Sequence, residues 1–157
     1  MSETVQELYS LLVPLDGERL IVPRACVAEV VRYMQPDQLP GSEPWLIGSV
    51  NWNGRALPVV SFEGTLGRDV PAVSGRTRIV VFYSTTGLVR AGFFGMLTQG
   101  FPQLVRVNRD VLKPADRDDG WAEDAPVLCR VRMINEYPLI PHLERLEGMV
   151  GNEAVDG

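Results

Sequence analysis

Few residues in this 157-residue chain are suited to chemistry: one histidine, two cysteines and a short run of aspartates. His142 sits beside Pro141, at the start of an expected C-terminal helix. A lone imidazole there suits a surface or capping role, because acid–base catalysis needs orienting partners and the sequence supplies none. A zinc site needs roughly four ligands, and one His with two distant Cys falls short, so no metal or other cofactor is expected. Cys26 and Cys129 each lie inside apolar runs and read as buried, reduced thiols. Asp116, Asp118, Asp119 and Gly120 share the opening of a calcium loop. The spacing fails at the fifth position, and Val127 stands where the bidentate glutamate belongs. Residues 116–124 therefore read as a solvated acidic loop.

Other chemistries are excluded by pattern. There is no GxxxxGK[ST], no GxGxxG after a strand and no GxSxG nucleophile elbow. Gly95, Thr98 and Gly100 read as strand-turning residues. The arginines are scattered among acids and the formal charge is −5, which disfavours nucleic acid and anionic membrane as partners. Arg130 and Arg132 alternate with Val131 and Met133, the pattern of a strand with one wet face. Met1–Thr4 opens without a basic region or a long apolar segment, so neither a signal peptide nor direct membrane insertion is expected, and the cytoplasm is the expected compartment. A binding module fits better than an enzyme.

The elements that must position any binding residues are short strands. Tyr9 to Leu15 and Arg19 to Val22 flank Asp16-Gly17, a hairpin signal. Arg24 to Val31 reads as a short helix, with its valines permitting a strand in the second half. Gln35 to Pro44 is a loop holding Pro36, Pro40, Gly41 and Pro44. Trp45 to Trp52 and Ala56 to Phe62 are strands around Asn53-Gly54, the strongest hairpin dipeptide. Gly64 to Gly75 is a loop. Arg78 to Tyr83, Val89 to Leu97 and Gln103 to Val107 are strands, with Thr86-Gly87 turning the first pair. Val127 to Ile134 and Tyr137 to Ile140 form a hairpin across Asn135-Glu136. His142 to Val150 is the helix, and 151–157 is expected to be a disordered tail. Some ten short strands argue for a sandwich or small barrels, since a single sheet of that width curls or splits. The ordered unit is expected over 5–150, dividing into halves near 64–77. Trp45 and Trp52 bracket an apolar run with Gly48 inside it. Large aromatics beside turns serve as core or lid residues and are also enriched at interface hot spots, and a strand glycine marks a bulge or a close backbone approach.

The run from Trp45 to Phe62 resembles the signature of CheW-like domains: Gly-Val-x-Asn-Leu-Arg-Gly, two residues, then Val/Ile-Pro-Val-Ile-Asp-Leu. Gly48, Val50, Asn51, Gly54, Leu57, Pro58, Val59 and Val60 fit in register. Leu15-Asp16-Gly17-Glu18-Arg19 looks like the family's first hairpin and Val27-Ala28-Glu29-Val30 like its Val-x-Glu-Ile segment. Leu139 to Leu146 is similar to the closing Leu-Val-Asp-Ile-Glu-Lys/Arg-Leu. The chain departs from the pattern at Asn53, which replaces the family arginine, with Arg55 two places on. Ser61 replaces an aspartate, and Ala91 to Gly100 lacks the aspartate of the second half. The likeness is nearest to the shorter auxiliary CheW-like proteins, of the ChpC type, attached to chemosensory systems that control type IV pilus (twitching) motility.

The resemblance implies a mainly β fold of two packed five-stranded SH3-like barrels with a few short helices. It also implies a non-enzymatic adaptor that bridges chemoreceptor cytoplasmic tips to the regulatory domain of a CheA-type histidine kinase. By motif position Val27, Glu29, Gly48 and Asn53 are expected on the receptor-facing side, with Arg55 as a substitute for the missing guanidinium. The alternative is a modulator that keeps one of the two partners and competes with the main coupling protein.

Overall fold

Adjacent residues of the first strand enter different cores, and this sets the architecture. In β1 (Leu8–Pro14) and β2 (Arg19–Pro23), Leu12 and Ile21 face one apolar cluster while Val13, Leu20 and Val22 face another. A strand alternates its side chains between two faces, so burying both faces makes each strand part of two layers. The two strands pair antiparallel, with Leu12 opposite Ile21, across a turn in which Gly17 takes φ 71°. A computed structural model describes residues 8–108, 110–115 and 119–154.

A single 3-10 turn, Arg24–Cys26, leads into β3 (Val27–Arg32). The sequence allowed a helix here, and the valines of the second half prevail as strand. β4 (Leu46–Trp52), β5 (Arg55–Val60), β6 (Arg78–Tyr83) and β7 (Phe93–Thr98) follow. Together they make a five-stranded sheet in the order β3-β6-β7-β5-β4. The strand expected from Val89 begins at Phe93, because Gly92 adopts φ 79° and bonds back to Val89 in a turn. β8 (Gln103–Val107), β9 (Leu112–Pro114), β10 (Val127–Met133) and β11 (Leu139–Pro141) join the first two strands in a six-stranded sheet, β8-β1-β2-β11-β10-β9.

Each sheet curls around its own small core. The five-stranded sheet encloses Val50, Trp52, Leu57, Val59, Ile79, Val81 and Leu97. Its edge strands β3 and β4 meet through Trp52 Nε1, which donates to Glu29 Oε2 at 2.9 Å. Gly95 lies in this wall because a Cβ there would come 2.8 Å from the Ile79 side chain. The six-stranded sheet encloses Leu12, Ile21, Val107, Val131 and Met133. Between the two barrels lies a third apolar layer that includes Val60, Phe62, Val80, Phe82, Phe94 and Met96, roofed by the C-terminal helix. Each of its fully buried large side chains contributes about 1.5–3 kcal/mol, so the barrels form one cooperative body.

The expected division near 64–77 is corrected by this topology. The first barrel takes strands from both chain ends, and the second is the uninterrupted middle from β3 to β7. Within 64–77 lies a connection between β5 and β6, strands of the same sheet. It opens with α1 (Phe62–Thr65), where the Ser61 side chain accepts from Gly64 N. α2 (Leu143–Ala154) puts Leu146 and Val150 into the inter-barrel layer, with Leu143 and Met149 beside them, the spacing of one helical face. His142 caps it, its Nδ1 accepting from Arg145 N at 3.1 Å. The helix runs on through Gly151 to Ala154. The expected tail thus begins too early at 151, because Gly151 packs its backbone against the Leu88 carbonyl; residues 155–157 lie outside the described residues.

Candidate functional site

The β4–β5 hairpin turns on Asn53-Gly54, with φ of 49° and 74°, the left-handed pair that a two-residue turn requires. Trp52 and Arg55 are thereby held directly opposite each other. The Arg55 guanidinium lies 5.1 Å from the centre of the Phe93 ring and donates from Nη1 to the Ala91 carbonyl at 2.8 Å. Phe93 meets Trp52 edge-on at 4.8 Å and Tyr83 at 5.5 Å. Trp52 continues the row to Glu29 through its indole N–H. A cation, three aromatic rings and a carboxylate therefore cross one end of the second barrel, with Tyr83 47% exposed.

Of the residues singled out by sequence, Glu29, Asn53 and Arg55 come together at this end. Asn53 is exposed and shapes the turn. Val27 starts the same strand as Glu29 but is half-buried and packs against the inter-barrel layer. Gly48 lies toward the other end of β4, at a bulge. Its φ is 149°, and a Cβ would stand 2.2 Å from the Asp37 carbonyl oxygen. Asp37 and Ser49 exchange both backbone hydrogen bonds there, at 2.8 and 2.9 Å. The glycine thus permits the 36–37 segment to close on β4. Sequence reasoning missed Phe93, Tyr83 and the Ala91 carbonyl. Gly92 was the available signal, since it ends a loop and makes Phe93 the first residue of its strand.

A second constellation lies in the first barrel. Arg130 forms a two-pronged pair with Glu18, Nη1–Oε1 2.8 Å and Nη2–Oε2 2.9 Å, and bonds Asp119 through Nε at 2.8 Å. Its guanidinium also covers Trp121 at 5.3 Å. Arg130 is only 6% exposed, so the expected wet strand face is corrected here. The segment around Asp119 and Trp121 roofs Arg130 and leaves Arg132 in water. In the expected solvated acidic loop, residues 122–124 are exposed, whereas the Asp119 side chain is 8% exposed and ion-paired; positions 116–118 lie outside the described residues. Burial pulls the Glu18 carboxyl upward, but hydrogen bonds and charge from Arg130, with Arg68, more than reverse this and hold it below its ordinary value. The hydrogen bonds that Arg130 donates to Glu18 hold its guanidinium above its own ordinary value. The adjoining cleft of about 530 Å³ is lined by these paired charges, with Arg19, Tyr137 and Pro138. Its charges neutralise one another, as suits a structural clamp.

The cysteines differ from expectation. Cys129 is exposed at the β10 bulge and Cys26 is half-buried, both as free thiols. A bulge turns Cys129 outward despite its apolar neighbours, and burial pushes the Cys26 thiol pKa up. Among the described residues no group of three or more His, Cys, Asp or Glu side chains is placed to hold a metal.

Residues 10–132 match the CheW-like domain. The chain belongs to that family. Its members are non-enzymatic scaffolds. Protein PilI of Pseudomonas aeruginosa is 31% identical over 103 residues, which cover 64% of this CheW-like chain and 57% of PilI. The match thus spans little more than half of that relative. The crystal structure of the scaffolding protein TtCheW from Thermoanaerobacter tengcongensis superposes with a TM-score of 0.78, covering 96% of this chain and 99% of that one, at 17% identity. That likeness is one of fold. No helix among the described residues is long and apolar enough to cross a membrane.

Proposed function

We propose that this CheW-like chain is a cytoplasmic adaptor that couples the tip of a chemoreceptor to the regulatory domain of a CheA-type histidine kinase. Its pathway would be a chemosensory one serving type IV pilus motility. The observation that carries the reading is the row Arg55–Phe93–Trp52–Glu29 across the end of the second barrel. Arginine and aromatic side chains dominate interface hot spots, and a rigid barrel holds them in a fixed geometry without ordering cost on binding. Family membership and the identity with PilI support the pathway. A receptor tip is a helical hairpin, and the exposed Tyr83 ring beside half-buried Phe93, backed by the buried Trp52 and flanked by Arg55 and Glu29, suits one helix face.

Asn53 favours a second reading. It offers no guanidinium, and the Arg55 guanidinium is folded back onto Phe93 and Ala91. A chain with a weakened receptor face would bind the kinase alone and compete with the main coupling protein. Titration of the full chain against a kinase regulatory domain and, separately, a receptor-tip hairpin of the same organism decides between them. The expected result is binding of both at about micromolar Kd, with Arg55→Ala weakening the receptor arm about tenfold and leaving the kinase arm unchanged. Binding of the kinase domain alone selects the second reading. Binding of neither overturns both.

A further inference from the structure

The C-terminal helix carries a buried carboxylate that the partner-facing row does not include. Glu147 is 1% exposed, and both of its oxygens are occupied by one loop. Oε1 accepts from the Ser84 hydroxyl, from Thr85 N at 2.9 Å, from Thr86 N at 3.4 Å and from the Thr86 hydroxyl at 3.2 Å. Oε2 accepts from the Thr85 hydroxyl at 3.3 Å. A buried carboxylate is stabilised by such donors. The same loop is pressed on the helix further along, where Val89 packs with Leu146 and Val150 and the Gly151 backbone abuts the Leu88 carbonyl. The loop closes on itself through Ser84 N to Gly92 O at 3.0 Å. Its far side presents the Ala91 carbonyl that receives Arg55 and leads directly into Phe93.

We infer that Glu147 is a positioning residue for the partner-facing end of the second barrel. It sets the 84–92 loop, and through Ala91 and Phe93 it sets the orientation of Arg55 and Trp52. This rests on the reading that this end meets a partner. Its consequence goes further: α2, on the opposite side of the loop, governs how the site is presented, so displacing that helix changes binding at residues it does not touch.

The test uses the full chain with Glu147→Gln, which keeps the shape and removes the charge. Thr86→Val attacks the same bonds from the exposed loop without altering the helix, and serves if the first variant folds poorly. Glu144→Ala, on the exposed face of α2, is the control. In the free protein, amide exchange over 84–92 is expected to rise about tenfold, and the Trp52 indole N–H resonance to shift, with Glu144→Ala changing neither. In titrations with the receptor-tip hairpin, Glu147→Gln combined with Arg55→Ala is expected to weaken binding by less than the product of the two single losses, because the variants share the Arg55 contact. Unchanged exchange and an unmoved indole signal overturn the inference whatever the partner proves to be. Losses that multiply in the double variant overturn it as well. Absence of hairpin binding by the unaltered chain counts against the proposed function, while the free-protein measurements still decide the role of Glu147.

Discussion

At the residue scale, one position carries a strain the fold does not need. Ile134, at the tip of the β10–β11 hairpin, has φ 40° and is 84% exposed. A β-branched residue in the left-handed region is disfavoured by about 1–2 kcal/mol, and asparagine tolerates it far better. Ile134→Asn is expected to stabilise the chain by about 1 kcal/mol, seen as a higher urea midpoint at constant slope. An unchanged or lower midpoint would mean the isoleucine has packing that its exposure conceals. Asn53, at φ 49°, shows the opposite choice: the residue type that accepts the turn occupies the turn.

At the element scale, β4 is shaped by what approaches it. The 36–37 segment bonds along one side, and Gly48 leaves the space for it. Gly48→Ala drives a Cβ into the Asp37 carbonyl at a φ that favours glycine, and should cost about 3 kcal/mol. Thermal unfolding of the variant checks this, and a loss under about 1 kcal/mol would show that the segment yields. The element was legible in sequence as a strand containing a glycine at a bulge or close approach. Which backbone approaches was not legible, because Pro36 and Asp37 lie in a loop with no periodicity to place it.

At the scale of the whole molecule, the Glu18–Arg130–Asp119 clamp ties the β1–β2 turn, β10 and the segment before β10 into one wall. Glu18 has a folded-state pKa below its ordinary 4.5. Its stabilisation is therefore complete above that unfolded value and is lost as pH falls through the lower folded one. Urea midpoints measured from neutral pH downward should fall more steeply below about pH 5 for the unaltered chain than for Glu18→Gln. At neutral pH the variant should be less stable by roughly 2 kcal/mol, below the ~3–5 kcal/mol of a fully dry pair because the cleft is open to water. Parallel pH profiles would show that the pair makes no net contribution. The apolar layer shared by both barrels further implies that unfolding is a single transition, coincident by Trp fluorescence and circular dichroism.

The sequence by itself determined what is local. Short apolar runs between turn residues, with Asp16-Gly17 and Asn53-Gly54, placed the strands and two hairpins, and the run from Trp45 to Phe62 was enough to suggest the family. These features act between residues near in the chain, so they are written there. Tertiary structure alone decided what joins distant segments. Arg130 looked like a surface residue until the segment around Asp119 and Trp121 covered it. Cys129 looked buried until a bulge turned it outward. The division near 64–77 looked natural until both chain ends entered one sheet. Arg55, Phe93, Trp52 and Glu29 became a single row only because the five-stranded sheet curls until its edges meet, and no local spacing encodes that closure.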